Sequence, residues 1–245
     1  MGQNENLGSL LFQFIYPKAK SATMSTSIQR GINDIVTATL TKANHLMKIW
    51  LRTDETQVAV LALQLASEQL ANLVSTGNPH YWSWVIVGLH NALQGFMVLA
   101  LSGGNNKNVL IEVRAKARAA AHKCKDGKLP QQKLDDFPIL YKKIKSNQMK
   151  MYDNSQVFIP RGTQGRSVKK INSLRNDFIH FIPKSWSIEI SGLPQIVDDC
   201  LQIISFLAFE CGNIIWHEQV LETRTKVLLE EVKQNVRVVR KAYGG

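Results

Sequence analysis

The residues of this chain best suited to chemistry are Arg175, Asn176, Asp177 and His180, in the run Ser173-Leu174-Arg175-Asn176-Asp177-Phe178-Ile179-His180-Phe181. An imidazole takes up and releases a proton near neutral pH, and a guanidinium stabilises an oxyanion. Wound as a helix at about 100° per residue, Arg175, Asn172, Asn176, His180 and Ser173 share one arc of about 160°. Phe181, Leu174, Phe178, Ile171 and Ile182 take the opposite side, with Asp177 at the border and Ile179 as an apolar exception in the polar arc. The segment therefore reads as a helix that anchors by a wide apolar face and presents Asn, Arg, Asn and His together. Asn is a poor helix former, and an ordinary surface helix more often carries Glu and Lys at such positions. A functional site and a solvated or network-forming polar face both fit this arrangement.

The charge of the chain is concentrated around the same segment. Of its 245 residues, 30 are Lys or Arg and 19 are Asp or Glu, a formal net charge of +11. Residues 112–184 hold 17 of the basic and 6 of the acidic side chains, so the whole excess lies in the middle third and the two ends cancel. Arg161, Arg166, Lys169 and Lys170 lead into the candidate helix, with Gly162 and Gly165 between them. Lys142, Lys143 and Lys145 follow Tyr141, and Arg114, Lys116, Arg118, Lys123, Lys125 and Lys128 cluster earlier. Such a distribution fits a polyanionic partner, although a solvated lysine face is the plainer explanation of any one cluster.

Several other chemistries have no signature in the sequence. There is no phosphate-binding P-loop, dinucleotide fingerprint, H-E-x-x-H helix or G-x-S-x-G elbow. The six histidines show no metal-ligand spacing, so neither a metal nor a cofactor is expected. Cys124, Cys200 and Cys211 form no C-x-x-C pair and their number is odd, which points to a reducing, cytoplasmic setting. The apolar run Leu10–Tyr16 lacks basic residues ahead of it and is too short to cross a bilayer. Trp82 to Leu101 carries no formal charge but contains His90, Asn91 and Gln94 and lacks basic flanks. It reads as a buried core helix rather than a membrane span, with His90 as a core histidine satisfied by a hydrogen bond.

These features sit in a pattern that is helical nearly throughout, and the class expected is all-α, an antiparallel helical bundle. Residues 1–24 read as an N-terminal extension and 25–245 as one helical domain. Apolar spacing predicts a helix over 25–51, then a second capped by Thr53 that carries Val58, Leu61, Leu65 and Leu73 and stops at Gly77-Asn78-Pro79. Further helices are expected at about 81–102, 108–123 and 139–149, with a loop at 124–138. The candidate helix runs from about 167 and ends or kinks at Pro183, and Trp186–Ile190 reads as a short strand or an ordered loop. Pro194 opens a long helix through Leu221 that continues to 241, with Leu228, Val232, Val236 and Val239 as a stripe. The acids Asp198 and Asp199 follow Pro194 in the first turn of that helix, where they complement its dipole.

Arg175 followed by Asn176-Asp177 and then His180, late in an all-α chain, resembles the Arg-x4-His motif of the HEPN superfamily (higher eukaryotes and prokaryotes nucleotide-binding domains). Leu89-His90-Asn91-Ala92-Leu93 in the apolar helix resembles that family's early core helix. Leu174 to Glu189, with Gly192-Leu193-Pro194 after it, resembles an uncharacterised bacterial and plasmid-borne subgroup, and the similarity spans about residues 80–210. The resemblance implies a bundle with extra N-terminal helices and a long C-terminal one. It further implies a metal-independent ribonuclease, acting as a toxin or antiviral effector. The partners implied are RNA, a second copy of the chain and an antitoxin protein, with no membrane. In such an enzyme Arg175 and His180 would be catalytic, Asn176 would orient them or bind phosphate, and Asp177 would support them. Two copies would bring two His and two Arg into one cleft. A non-catalytic dimerisation or RNA-binding module is the alternative.

Overall fold

The close approach of two helices organises the fold. In the computed structural model, α1 spans Glu55–Thr76 and α2 spans Tyr81–Ser102. Residues 50–103, 106–111, 132–180, 183, 185 and 187–244 are described. Asp54, rather than Thr53, opens α1, its carboxylate accepting from the Gln57 backbone N–H at 2.7 Å. Gly77, at φ 67°, ends it in the left-handed conformation that favours glycine. The two helices then fold back on each other over most of their length. A Cβ added at Gly88 would lie 2.9 Å from the Ala66 backbone nitrogen, and one at Gly95 would lie 2.7 Å from the Ala59 Cβ. Small residues on both helices therefore set their separation. As a result α1 buries Ala59, Val60, Leu63, Ala66, Leu70 and Leu73 and leaves Val58 and Leu61 exposed, against the stripe expected from side-chain bulk.

α2 is the central element, in contact with α1, with α3 (Phe137–Ile144), with α4 (Gln164–Ile179) and with α5 (Leu193–Ser205). By length and composition α1 and α2 would each be able to cross a membrane. α2 is nonetheless the core of this bundle, with Val85, Ile86, Leu89, Leu93, Phe96, Met97 and Leu101 fully buried. Each such side chain contributes about 1.5–3 kcal/mol of burial. α6 (Gln219–Ala242) packs on α1 and α5 through Leu228, Val232, Val236 and Val239, so the predicted stripe is spent inside the bundle. The fold is all-α, with six α-helices and no strand among the described residues. The segment at 187–190 is an ordered loop whose Ile188 and Ile190 pack on the core. All six helices belong to the compact unit Thr53–Gly245, separate from Met1–Arg52. The predicted helix over 25–51 lies, but for its last two residues, outside the described residues, as does most of that over 108–123 with its cluster from Arg114 to Lys128.

The long helix expected from 194 to 241 is instead two helices. α5 passes into a π-helical turn at Phe206–Glu210, and the chain turns at Gly212, φ 75°, where a Cβ would meet the Asn154 carbonyl oxygen at 2.8 Å. Next to it, buried Asn213 donates to the carbonyls of Ala100 (2.9 Å) and Met149 (2.8 Å) and accepts from Ser155 Oγ at 2.5 Å. A short polar side chain thus pulls the backbone inward and ties three segments together, which a continuous helix would prevent.

Gly88→Ala tests the close packing. Alanine ordinarily stabilises a helix interior by about 1 kcal/mol over glycine. Here the overlap with backbone reverses the sign, and thermal unfolding will show a loss of about 1–3 kcal/mol. At Gly165, where the added Cβ would have only ordinary contact at 3.9 Å, the same change is neutral or stabilising.

Candidate functional site

α4 carries the residues singled out by chemistry, and two buried polar contacts seat it. The first is at its start. Asp199 of α5 is buried, and its carboxylate accepts from Thr163 Oγ1 (2.6 Å), Ser167 Oγ (2.5 Å) and Gln195 Nε2 (3.0 Å). Gln164 Oε1 accepts from the Arg161 backbone N–H at 2.8 Å. These contacts start the helix at Gln164, three residues before the position expected from spacing. Asp199 therefore holds α4 rather than complementing the dipole of its own helix. Its neighbour Asp198 pairs with Arg240 of α6, and both lie in the second turn of α5, not the first.

The second contact lies midway along α4. His90 of α2 is 2% exposed and stacks on Phe137 at 4.0 Å between ring centroids. Its Nε2 is 3.0 Å from Asn172 Oδ1. An amide oxygen only accepts, so Nε2 carries the proton and donates. Burial pushes the His90 pKa below its ordinary value; the bond to Asn172 opposes this, and the charge of Arg175 adds to the lowering. His90 is a buried, hydrogen-bonded core histidine as expected, bonded through Nε2, and its partner is the candidate helix itself. Sequence reasoning assigned it no part in the site, and a lone His-Asn in an apolar helix was the only signal available.

The apolar side of α4 packs as its periodicity requires. Val168, Ile171 and Leu174 are buried and Phe178 rests against the core, while Phe181 and Ile182 lie outside the described residues. Opposite them, Arg166, Lys169, Lys170, Ser173 and His180 are exposed. Turn by turn, Arg166, Lys169, Ser173, Asn176 and His180 follow one another along a single stripe of the helix. The helix ends at Ile179, so that His180 is its C-cap, with its backbone N–H donating to the Asn176 carbonyl at 3.1 Å. Pro183 follows three residues later, as is common beyond a helix end.

Arg175 is partly buried between these faces. Its Nη1 donates to Asn176 Oδ1 at 3.1 Å, which carries the guanidinium towards the exposed stripe, and its buried Nε has no hydrogen-bond partner. Asp177, Phe178 and Ile179 form one wall of a cleft of about 830 Å³, whose other walls include Trp82 and Trp84 of α2 with Ile188 and Ile190. The expected basic residues divide. Arg161 and Lys142 are exposed, and Lys145 is exposed with its Nζ 4.2 Å above the Tyr141 ring. Lys143 turns inward, against its expected place on an RNA-binding surface. It pairs with Asp135 and donates to the carbonyls of Asn108 (2.8 Å) and Leu110 (3.1 Å), so its charge is consumed inside the fold. Among the described residues no three His, Cys, Asp or Glu side chains gather as a metal site requires.

The low pKa of His90 has a measurable consequence. The folded chain binds this proton less readily than the unfolded chain, so the stability it contributes is complete above about 6.5 and is lost as pH falls below that value. Denaturant titrations at pH 7 and pH 5.5 will show a smaller pH dependence in His90→Gln than in the unmodified chain. The difference is at most about 1.4 kcal/mol per pH unit. Equal pH dependence in both would contradict a buried neutral imidazole.

Compared with models of known protein families, with curated proteins and with solved structures, the chain matches none.

Proposed function

We propose that the chain is a metal-independent endoribonuclease of HEPN type, working as a homodimer in the cytoplasm as a toxin or antiviral effector. The observation that carries this reading is the exposed stripe of α4. It runs from Arg166 and Lys169 through Ser173 and Asn176 to His180, with Arg175 reaching it by way of Asn176. Lysine and arginine along the stripe suit a phosphodiester backbone, and they are followed on the same helix by a histidine open to solvent. Arg161 at the approach to α4 extends the positive surface.

In the reaction the 2′-hydroxyl of the RNA loses its proton to an imidazole and its oxygen attacks the adjacent phosphorus. The bond from phosphorus to the 5′-oxygen breaks, and a second imidazole protonates that oxygen. The products carry a 2′,3′-cyclic phosphate and a 5′-hydroxyl. Arg175 stabilises the extra negative charge on the five-coordinate phosphorus, and Asn176 orients Arg175. One chain supplies one exposed His180, so two copies meeting along α4 would provide the acid and the base. Asp177, which lines the cleft, is the supporting member of this set.

One observation favours the second reading, a non-catalytic module of the same type. Arg175 is partly withdrawn, with Nη1 engaged by Asn176 and Nε buried. The two readings separate in one assay. Purified protein incubated with RNA in EDTA will cleave it, and His180→Ala and Arg175→Ala will each lower the rate by about 10²–10⁴-fold. Cleavage retained in both variants would remove the assignment of these residues. A dimer that cleaves no RNA would favour the binding module.

A further inference from the structure

We propose that His90 is a positioning residue for the α4 motif: its imidazole, protonated on Nε2, donates to Asn172 and sets the rotation of α4 that turns the partly buried Arg175 and Asn176 towards the exposed stripe. The catalytic consequence rests on the ribonuclease reading above; the positioning itself does not.

Asn172 lies one helical turn before Arg175 and Asn176, so a contact that fixes Asn172 fixes the direction of both. His90 is itself immobilised, since α2 is the central helix and the imidazole stacks on Phe137 of α3 at 4.0 Å with planes 22° apart. Three helices thus meet at this one ring. Val168, Ile171 and Leu174 are buried on the other side of α4, but apolar contacts are less directional than a hydrogen bond, and the Asp199–Ser167 bond acts near the start of the helix, more than a turn before Asn172. The 3.0 Å hydrogen bond between buried His90 and partly buried Asn172 is directional, and turning α4 would leave the buried imidazole N–H without its acceptor.

Charge sharpens the requirement. Arg175 acts on His90 electrostatically, so an imidazolium there would place a second cation beside the guanidinium. His90 Nδ1 and Arg175 Nε are both buried without a hydrogen-bond partner. One is an acceptor and the other a donor, so the neutral ring with its proton on Nε2 adds no further unpaired N–H to this region. A leucine at position 90 would fill the volume and lose the donor. Glutamine retains an amide N–H at about the reach of imidazole Nε2.

The test combines kinetics with nitrogen NMR of the full chain. RNA cleavage in EDTA will fall about tenfold or more in kcat for His90→Leu, with KM changed less than about threefold, and His90→Gln will recover most of it. Asn172→Leu will match His90→Leu, and the double variant will be no worse than either single one, as expected for one shared contact. The His90 ring nitrogens of the unmodified chain will show the neutral tautomer with the proton on Nε2. The Arg175 Nε resonance will move in His90→Leu and return towards its original position in His90→Gln. Unchanged kcat in a folded His90→Leu, additive losses in the double variant, or a proton on Nδ1 would each overturn the proposal. If the unmodified chain cuts no RNA, the ribonuclease reading falls, and the two NMR signatures still decide whether His90 positions Arg175.

Discussion

Leaving a buried donor or charge unpartnered is costly, and that cost decides how α4 is held. Leaving such a group unpaired costs about 1–3 kcal/mol, more if it is charged. The Asp199 carboxylate at one end of α4 and the His90 imidazole midway both lie in apolar surroundings, and both find their partners on or beside α4. Together they fix where the helix begins and how it is turned. Everything exposed on its far side, from Arg166 to His180, takes its direction from these two contacts. Apolar packing supplies most of the energy of the fold. The polar contacts supply the register.

Part of this was legible in the sequence. The apolar periodicity of α2, α4 and α6 identifies the faces they bury, because their contacts are made by large side chains. The same reasoning misplaced the buried face of α1. There the contact with α2 is made by Ala59 and Ala66 against Gly95 and Gly88, and short distance between backbones, not bulk, determines which side faces inward. The break between α5 and α6 was missed for a related reason. Asn213 is polar and short, and its value lies in three hydrogen bonds to segments distant in sequence, which periodicity does not reveal.

The polar arc of α4 was legible as an arc, but its two halves have different fates. Asn172, inside the arc, turns inward to His90, while Ser173 and His180 are exposed. Sequence spacing groups them because a helical wheel knows nothing of neighbouring helices. Lysine counting has the same weakness. Lys143 looks like Lys142 and Lys145 in sequence, yet it is spent on Asp135 and two carbonyls, and only the fold distinguishes an internal tie from a surface charge. Of the expected basic residues Arg161, Arg166, Lys169, Lys170, Lys142 and Lys145 are exposed, and of the motif His180 is exposed while Arg175 and Asn176 are partly buried.

We propose that this stripe cuts RNA by means of the RNA's own 2′-hydroxyl. The most direct measurement uses a defined oligoribonucleotide whose cut position has been mapped in EDTA, compared with the same strand carrying one 2′-deoxy residue there. Cleavage at that position will vanish in the 2′-deoxy strand, and the intact strand will yield a 2′,3′-cyclic phosphate and a 5′-hydroxyl. Cleavage of the 2′-deoxy strand at the same bond, or products ending in a 3′-hydroxyl and a 5′-phosphate, would contradict it.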